Sequence, residues 1–344
     1  QNILTDSFEK LQKLKTNDLM RKFSVKFEGE DGVDAGGLTK EWFTLIIQEL
    51  FNPNYNLFKQ MKSNSFQPSI SSYLNGPQHL QYFNFAGKMI ALALIEEQCV
   101  NAHLTTSFYR QILHQKPKLK DLEDYKVKLY DSLQWMLEND VDSLELPFAI
   151  DVKEFGEQKT VELIENGENI LVTNENKREY ISLYAQYYLQ NSIKKQIDAF
   201  CSGFDEIIPP EEIKIFSASE LDLLICGIPT IDIDDLKKNT VYELPYNENH
   251  PVMLLFFEVI SKWDNESLAK FLQFLTGSSQ VPIGGFKTFK YRGKPIKIMS
   301  GGNKERLPVA HTCFNLLALP GYDNGDDMNN KLIRAIQERE FAII

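Results

Sequence analysis

Apolar residues recur at helical spacing along most of the chain and alternate at strand spacing only in short runs. The pattern therefore predicts a mainly helical protein with a few short strands. Ile3, Phe8, Leu11 and Leu14 predict an amphipathic helix over residues 2–16. Phe23, Val25 and Phe27 alternate with polar residues, which predicts a strand over 22–28. A glycine-rich tight turn over 29–37 then feeds a strong helix over 38–51, halted by Asn52-Pro53. Residues 52–80 are rich in Asn, Ser, Pro and Gln and predict a long polar connection. The run over 80–94 is apolar nearly all round, as a buried helix is, and its small residues suit close packing.

The middle of the chain gives a helix over 126–138 whose apolar set, Leu129, Leu133, Trp135, Met136 and Leu137, exceeds one core face. A short strand over 144–148 follows. Residues 161–163 and 169–172 predict a hairpin around Asn166-Gly167. Residues 173–176 cap a long helix over 177–200 that carries Tyr180, Tyr184, Tyr187 and Tyr188. Pro209-Pro210 breaks the chain, and Gly227 stops a helix begun at Ser219. Ile228-Pro229 makes a stiff, extended link, where we place a domain boundary. Beyond it the pattern predicts helices over 231–238, 251–263 and 266–276, the last capped by Asn265 and ended by Gly277. Strands over 287–290 and 295–299, a turn over 301–303 and a final helix packed through Leu332, Ile333 and Ile336 complete the chain.

Length changes this picture first: 344 residues are too many for one compact core. The composition, 43% hydrophobic and 25% charged, is that of a soluble protein, and no apolar run is long enough to span a membrane. The chain starts at Gln1 and shows no secretory signal, so we read it as a piece of a longer protein. A net charge of −11 argues against nucleic acid as a partner, since a binder would carry a basic face. The four cysteines, Cys99, Cys201, Cys226 and Cys313, form no C-x-x-C pair and do not cluster with histidine. Neither a metal site nor a disulfide framework is expected, no cofactor is implied, and dispersed thiols fit the cytoplasm or nucleus. The glycine-rich stretches at 29–37 and 277–285 lack the calcium-loop and P-loop spacings and read as turns.

Candidate chemistry concentrates at Leu307-Pro308-Val309-Ala310-His311-Thr312-Cys313-Phe314-Asn315. Pro308 ends what precedes it and an apolar run follows, so Cys313 sits where a loop enters a short strand. A free cysteine is more often a small core residue than a nucleophile. A thiol displayed at a loop–strand junction is nevertheless well placed to react. A thiol of ordinary pKa, about 8.5, is already partly ionised at neutral pH.

This segment resembles the active-site signature of HECT-type ubiquitin ligases. Two further stretches, VKFEGEDGVDAGGLTKEWF and FLQFLTGSSQVPIGGF, are similar to other signatures of that family, in the family's order. With the middle section, the resemblance covers nearly the whole chain. It implies an α+β, bilobal fold. Residues 1–226 would be a mainly helical N-lobe, with a small conjugating-enzyme-binding subdomain at about 126–200. Gly227, Ile228 and Pro229 would be a hinge, and 230–344 a smaller α/β C-lobe carrying the cysteine. It implies a ligase that accepts ubiquitin from a conjugating enzyme as a thioester on Cys313 and passes it to a lysine of a protein substrate. It carries the conjugating-enzyme groove onto Leu129, Ser132, Leu133, Met136, Leu144, Leu146, Tyr180 and Tyr184. The positions 129, 132, 133 and 136 share one helix face. Tyr180→Ala is accordingly expected to weaken that binding and spare the fold. Phe341 matches an aromatic of the family's tail. The chain departs from relatives at Tyr242-Glu243-Leu244-Pro245-Tyr246, which lacks glycine, and at Ala342-Ile343-Ile344, which has no acidic side chain.

The roles around the thiol are read from position. His311 shares a face with Cys313 if the strand continues, as a general base, or else it orders the loop. Thr312 and Asn315 fix the loop by hydrogen bonds to backbone. Arg306 is placed to meet an acidic residue when the lobes dock. Glu340 and the terminal carboxylate are candidates for deprotonating the acceptor lysine. Two other functions stand beside the ligase: a cysteine hydrolase of ubiquitin-like conjugates, which needs an oriented distant histidine, and an inactive binding module.

Overall fold

The computed structural model describes residues 2–21, 25–27, 37–154, 157–291 and 293–342. The strand expected over 22–28 and the turn expected over 29–37 lie largely outside these residues, and 25–27 carry no regular structure. By internal contacts the chain divides into two compact units. One comprises 1–49, 89–101 and 222–344; the other comprises 50–88 and 102–221.

In the first unit the amphipathic N-terminal segment forms the helix Ile3–Leu11, capped by the Asn2 side chain, and then a separate turn, Thr16–Leu19. Residues 12–15 end the first helix, because Gln-Lys-Leu-Lys gives the second turn no buried face: Leu14 is 48% exposed. Trp42 donates from Nε1 to Ser7 Oγ at 3.0 Å and ties the helix Gly37–Leu50 to the first helix. One core cluster of this unit lies between residues 231 and 336. The helices Pro251–Ile260, Asn265–Thr276 and Gly325–Ala342 contribute to it alongside a four-stranded sheet. In sheet order its strands are Val241–Tyr242, Lys297–Ser300, Leu316–Leu319 and Val309–His311. The first three run parallel; Val309–His311 is antiparallel to Leu316–Leu319, with Ala310 opposite Leu317. Leu317 and Leu319 are fully buried while Leu316 and Ala318 are partly exposed, the period-two alternation of a sheet covered on one face.

Three local expectations change here. Residues 287–290 are not a strand: Lys287–Tyr291 is a helix. Phe286 and Phe289 are both buried, and a three-residue interval brings two side chains to one side only in a helix. The cap of Asn265–Thr276 is Asp264, which accepts from Ser267 N, one residue earlier than expected. In the last helix Met328, Leu332, Ala335 and Ile336 face the core, whereas Ile333 is 38% exposed.

In the second unit Phe51, Phe58, Phe83, Phe108 and Phe200 build an aromatic cluster, with ring centroids 4.4 Å apart for Phe51–Phe58 and 4.8 Å for Phe108–Phe200. The polar connection over 52–80 contains a hairpin, Phe58–Gln60 with Phe66–Pro68, followed by the 3-10 helix Ile70–Asn75. Its polar composition belongs to the turns, and the buried Phe58 anchors the strands. At Gly87 an added Cβ would lie 2.0 Å from Phe200 O, so the helices His79–Ile95 and Lys194–Asp205 touch through backbone.

The remainder of this unit packs around Leu133, Met136, Phe148, Tyr180, Ile181 and Leu189. The expected helix over 126–138 is Val127–Glu138. The hairpin lies one strand earlier than the Asn-Gly signal suggested: Ala149–Glu154 pairs with Glu157–Glu162. Asn166 does take positive φ, but it opens a 3-10 turn, Gly167–Asn169, whose backbone packs under Phe148. The 144–148 segment is not a strand; the 3-10 turn Asp142–Leu144 precedes a single bridge between Pro147 and Leu171. The long tyrosine helix is two helices, Lys177–Leu189 and Lys194–Asp205, separated at Gln190 (φ −137°) and a 3-10 turn.

Candidate active site

Cys313 occupies the middle of a three-residue 3-10 turn, Thr312–Phe314, that links the strands Val309–His311 and Leu316–Leu319. The sequence places the turn. Two apolar strands must reverse between His311 and Leu316, which pair directly, and Asn315 supplies the left-handed residue that closes it (φ +49°). Asn315 N donates to Thr312 O at 3.3 Å, and its carbonyl accepts from Lys297 N at 2.9 Å. The Asn315 side chain is fully buried, and its Nδ2 donates to Lys294 O at 2.7 Å. A buried amide pinned at backbone and side chain makes a rigid base for the residues displayed above it.

Those displayed residues are accessible. His311 is exposed, Phe314 is 61% exposed, and Thr312 and Cys313 are partly exposed. The other cysteines differ. Cys201 and Cys226 are buried, and burial pushes the Cys201 thiol up to about 12, which keeps it protonated and unreactive. Cys99 is partly exposed but lies between helices, at no strand-reversing turn.

His311 does not share a strand face with Cys313. The strand ends at His311, and the 3-10 turn begins at Thr312, so the two-residue repeat that would align them is interrupted. Its ring makes no hydrogen bond with any described residue. Arg306 is exposed; its carbonyl accepts from the Tyr322 hydroxyl at 2.7 Å, which fixes the approach to the strand Val309–His311. Phe341 lies in the last helix, but its side chain, that of Glu340 and the terminal carboxylate lie outside the described structure.

The link at 227–229 is pinned at both ends. Gly227 has φ +80°, and a Cβ there would lie 2.5 Å from Val281 O, so only glycine fits without a shift. Ile228 N donates to Val281 O at 2.7 Å. Asn265, read from sequence as a cap, instead donates from Nδ2 to Pro229 O at 2.7 Å and accepts from Ile231 N at 3.0 Å.

The second cluster of expected site residues lies in the Val127–Glu138 and Lys177–Leu189 helices and the 144–147 loop. It divides by depth. Leu133, Met136 and Tyr180 are buried in the core, at 1%, 6% and 4% exposure. Leu129, Leu146 and Tyr184 are half-buried, and Ser132 and Leu144 are exposed. Tyr180 packs edge-on against Phe148 and Tyr184, with centroids 5.4 and 5.6 Å apart. Burial pushes the Tyr180 hydroxyl well above the ordinary tyrosine range. Sequence reading missed Leu171, which is 52% exposed. The Pro147–Leu171 bridge and the 2.7 Å bond from Val172 N to Leu146 O set it beside the 144–147 loop. The run 169–172 reads from sequence as a strand paired with 161–163, which hides Leu171 in a hairpin that does not form; Glu157–Glu162 pairs with Ala149–Glu154 instead.

Comparison with known proteins agrees with this arrangement. The profile of the family described as HECT-domain (ubiquitin-transferase) matches residues 44–343. The E3 ubiquitin-protein ligase pub1 of Schizosaccharomyces pombe is 41% identical over 341 residues, which is 98% of this chain and 44% of that protein. The E3 ubiquitin-protein ligase RSP5 of Saccharomyces cerevisiae is 39% identical over 343 residues, 98% of this chain and 42% of that protein. The E3 ubiquitin-protein ligase TOM1-like of Neurospora crassa is 43% identical over 343 residues but only 8% of its length is covered. This chain thus spans less than half the length of these relatives. A profile match over most of the chain and an accessible cysteine on a rigid strand-reversing turn lead to one conclusion: the chain belongs to the HECT-domain (ubiquitin-transferase) family.

Proposed function

We propose that this chain is the catalytic part of an E3 ubiquitin ligase that carries ubiquitin on Cys313. The observation that supports this most directly is the placement of Cys313: of the four thiols, it alone lies on a partly exposed turn between two paired strands. In the first step the Cys313 thiolate attacks the carbonyl of ubiquitin's thioester on a conjugating enzyme. A C–S bond forms to Cys313, and the enzyme's own sulfur leaves as thiolate. One sulfur replaces another, so the step is near balance and needs no strong base. In the second step a neutral lysine amine attacks the new thioester. A C–N bond forms, the C–S bond breaks and Cys313 leaves as thiolate, and the attacking nitrogen, positively charged after addition, gives its extra proton to solvent or a nearby base.

Under this reading residues 1–226 form an N-lobe and 230–344 a C-lobe that turns about Gly227, Ile228 and Pro229. The 126–200 segment receives the conjugating enzyme, chiefly through Leu129, Ser132, Leu144, Leu146 and Tyr184, with Leu133, Met136 and Tyr180 supporting that surface from beneath. Phe341 anchors the tail during transfer. The partners are a conjugating enzyme, ubiquitin and a protein substrate chosen by segments outside this chain. A thiol with this task works in a reducing compartment, cytoplasm or nucleus.

Mixing the protein with a ubiquitin-charged conjugating enzyme tests the proposal. A ligase yields an adduct cleaved by added thiol, and Cys313→Ala abolishes it. A hydrolase would only release free ubiquitin, and a binding module would do neither; either result rejects the proposal.

A further inference from the structure

The helix Gly37–Leu50 reaches the cysteine turn from a distance of more than two hundred residues in sequence. Lys40 Nζ lies 3.5 Å from Asn315 Oδ1 and 3.4 Å from Thr276 O. One helical turn further on, Thr44 Oγ1 lies 3.4 Å from Gly277 O. Lys40 and Thr44 are four residues apart and share one helix face. That face meets the C-terminal end of the helix Asn265–Thr276, where the negative end of the helix dipole attracts a cation. The same lysine reaches the buried side chain that closes the Cys313 turn. The ends meet closely: a Cβ built on Gly277 would be 3.8 Å from Lys40 Cβ and 4.0 Å from Thr312 Cβ.

Asn315 makes the connection consequential. Its Nδ2 is engaged by Lys294 O, and among the described residues Lys40 is the donor to its Oδ1. The acceptor is buried, so removing the donor leaves it without water or a partner. Residue 315 also supplies the left-handed backbone on which the turn depends.

We propose that Lys40 is a positioning residue for ubiquitin transfer: in the orientation that brings the Cys313 turn against the Gly37–Leu50 helix, it fastens the two through Asn315 Oδ1 and Thr276 O. Lys40 does not touch the reacting atoms. It restricts the orientations of the sulfur, and the step that depends most on orientation is attack by the lysine amine. Charging is an exchange between two sulfurs and tolerates a looser turn.

The proposal rests on the assignment of Cys313 as the ubiquitin carrier, and the experiment separates the two. Wild type, Lys40→Met, Lys40→Arg and Thr44→Val are compared at equal thermal stability. The first readout is peptide-resolved alkylation by iodoacetamide, which requires no ubiquitin. Lys40→Met is expected to speed alkylation of Cys313 but not of Cys99, and Lys40→Arg to restore the wild-type rate. The second readout is single-turnover discharge of the Cys313 thioester to free lysine. Lys40→Met is expected to lower the limiting rate about tenfold with unchanged half-saturating lysine, to leave charging within about twofold, and to be rescued by arginine. Thr44→Val, which removes the hydroxyl's bonds to Gly277 O and Lys40 O and leaves the Lys40 side chain in place, is expected to show the same changes in smaller degree. Unchanged alkylation in Lys40→Met, equal loss of charging and discharge, or failure of arginine to rescue overturns the positioning role. Failure of wild type to form any thioester refutes the carrier assignment instead, and the alkylation result still decides whether Lys40 holds the turn.

Discussion

The Cys313 turn and the 126–200 segment expose their candidate residues in opposite ways. At the turn, the residues for chemistry sit outside and the residue that holds them is inside. Cys313, Thr312, His311 and Phe314 are accessible, while Asn315 beneath them is fully buried and bonded. In the segment, three of the eight expected contact residues are themselves the core: Leu133, Met136 and Tyr180. A reactive site can be separated from its scaffold because one sulfur suffices for the chemistry. A docking surface cannot be separated so easily, because its apolar contour is the outer layer of the packing below. Substitutions should therefore divide cleanly at the turn and become confounded in the segment.

The largest effect expected tests the confounded side. Tyr180→Ala removes a buried ring that packs on Phe148 and Tyr184, so it should cost about 3–5 kcal/mol of stability, as aromatic-to-alanine changes in cores do. This reverses the reading from sequence, by which the same change would spare the fold. Urea unfolding of the isolated chain, followed by circular dichroism, measures it. A loss below about 1 kcal/mol would mean that Tyr180 is a surface contact after all and that the two regions are alike.

Asn315→Ala comes next and tests the turn's hidden support. It deletes the buried amide that bonds Lys294 O and puts a Cβ-bearing residue with no local polar group at φ +49°. The expected cost is about 1–3 kcal/mol, from the lost hydrogen bond together with the strained backbone. Discharge of the Cys313 thioester to lysine should fall with it even at temperatures where the protein remains folded, while charging from the conjugating enzyme changes little. Asn315→Gly, which accepts that φ but lacks the amide, should recover part of the stability and none of the positioning. If alanine and glycine behaved identically, backbone strain would play no part in the turn.

How far these features were legible in the sequence follows from the range of the forces that set them. The helices Gly37–Leu50, Val127–Glu138 and Asn265–Thr276 were legible because caps, stops and apolar periodicity act within a few residues. The Cys313 segment was legible only in part: Pro308 marks a boundary locally, but the reading of a loop entering a strand missed the strand Val309–His311 and the turn that Asn315 closes, which are set by pairing with Leu316–Leu319. The hairpin around Asn166-Gly167 was misread because a local turn signal is spent on a 3-10 turn under Phe148, a demand of packing rather than of sequence. Lys287–Tyr291 was misread because five residues carry too few periods to tell alternation from a helical repeat. Burial of Leu133 and Tyr180 and the reach of Lys40 to Asn315 arise from contacts between distant stretches, and no window of neighbouring residues contains them.

The smallest effect on stability should come from Leu144→Ala, and it separates recognition from packing within the segment. Leu144 is 41% exposed at the end of the 3-10 turn Asp142–Leu144, so its truncation leaves little cavity and should cost less than about 0.5 kcal/mol. Its methyl groups lie where a partner would cover them. If the segment receives the conjugating enzyme, the change should weaken that complex by roughly 1 kcal/mol, about a fivefold rise in Kd by titration calorimetry. Leu171→Ala, at the neighbouring end of the Pro147–Leu171 bridge, should behave similarly, and the two together should add if each fills its own part of the partner. Affinity unchanged in both variants, with Tyr180→Ala already unfolding the chain, would leave this face as exterior packing and move the docking surface elsewhere. A fivefold loss at intact stability would show that in this segment recognition lies in the thin layer of side chains above the core, as reactivity at the turn lies in the layer above Asn315.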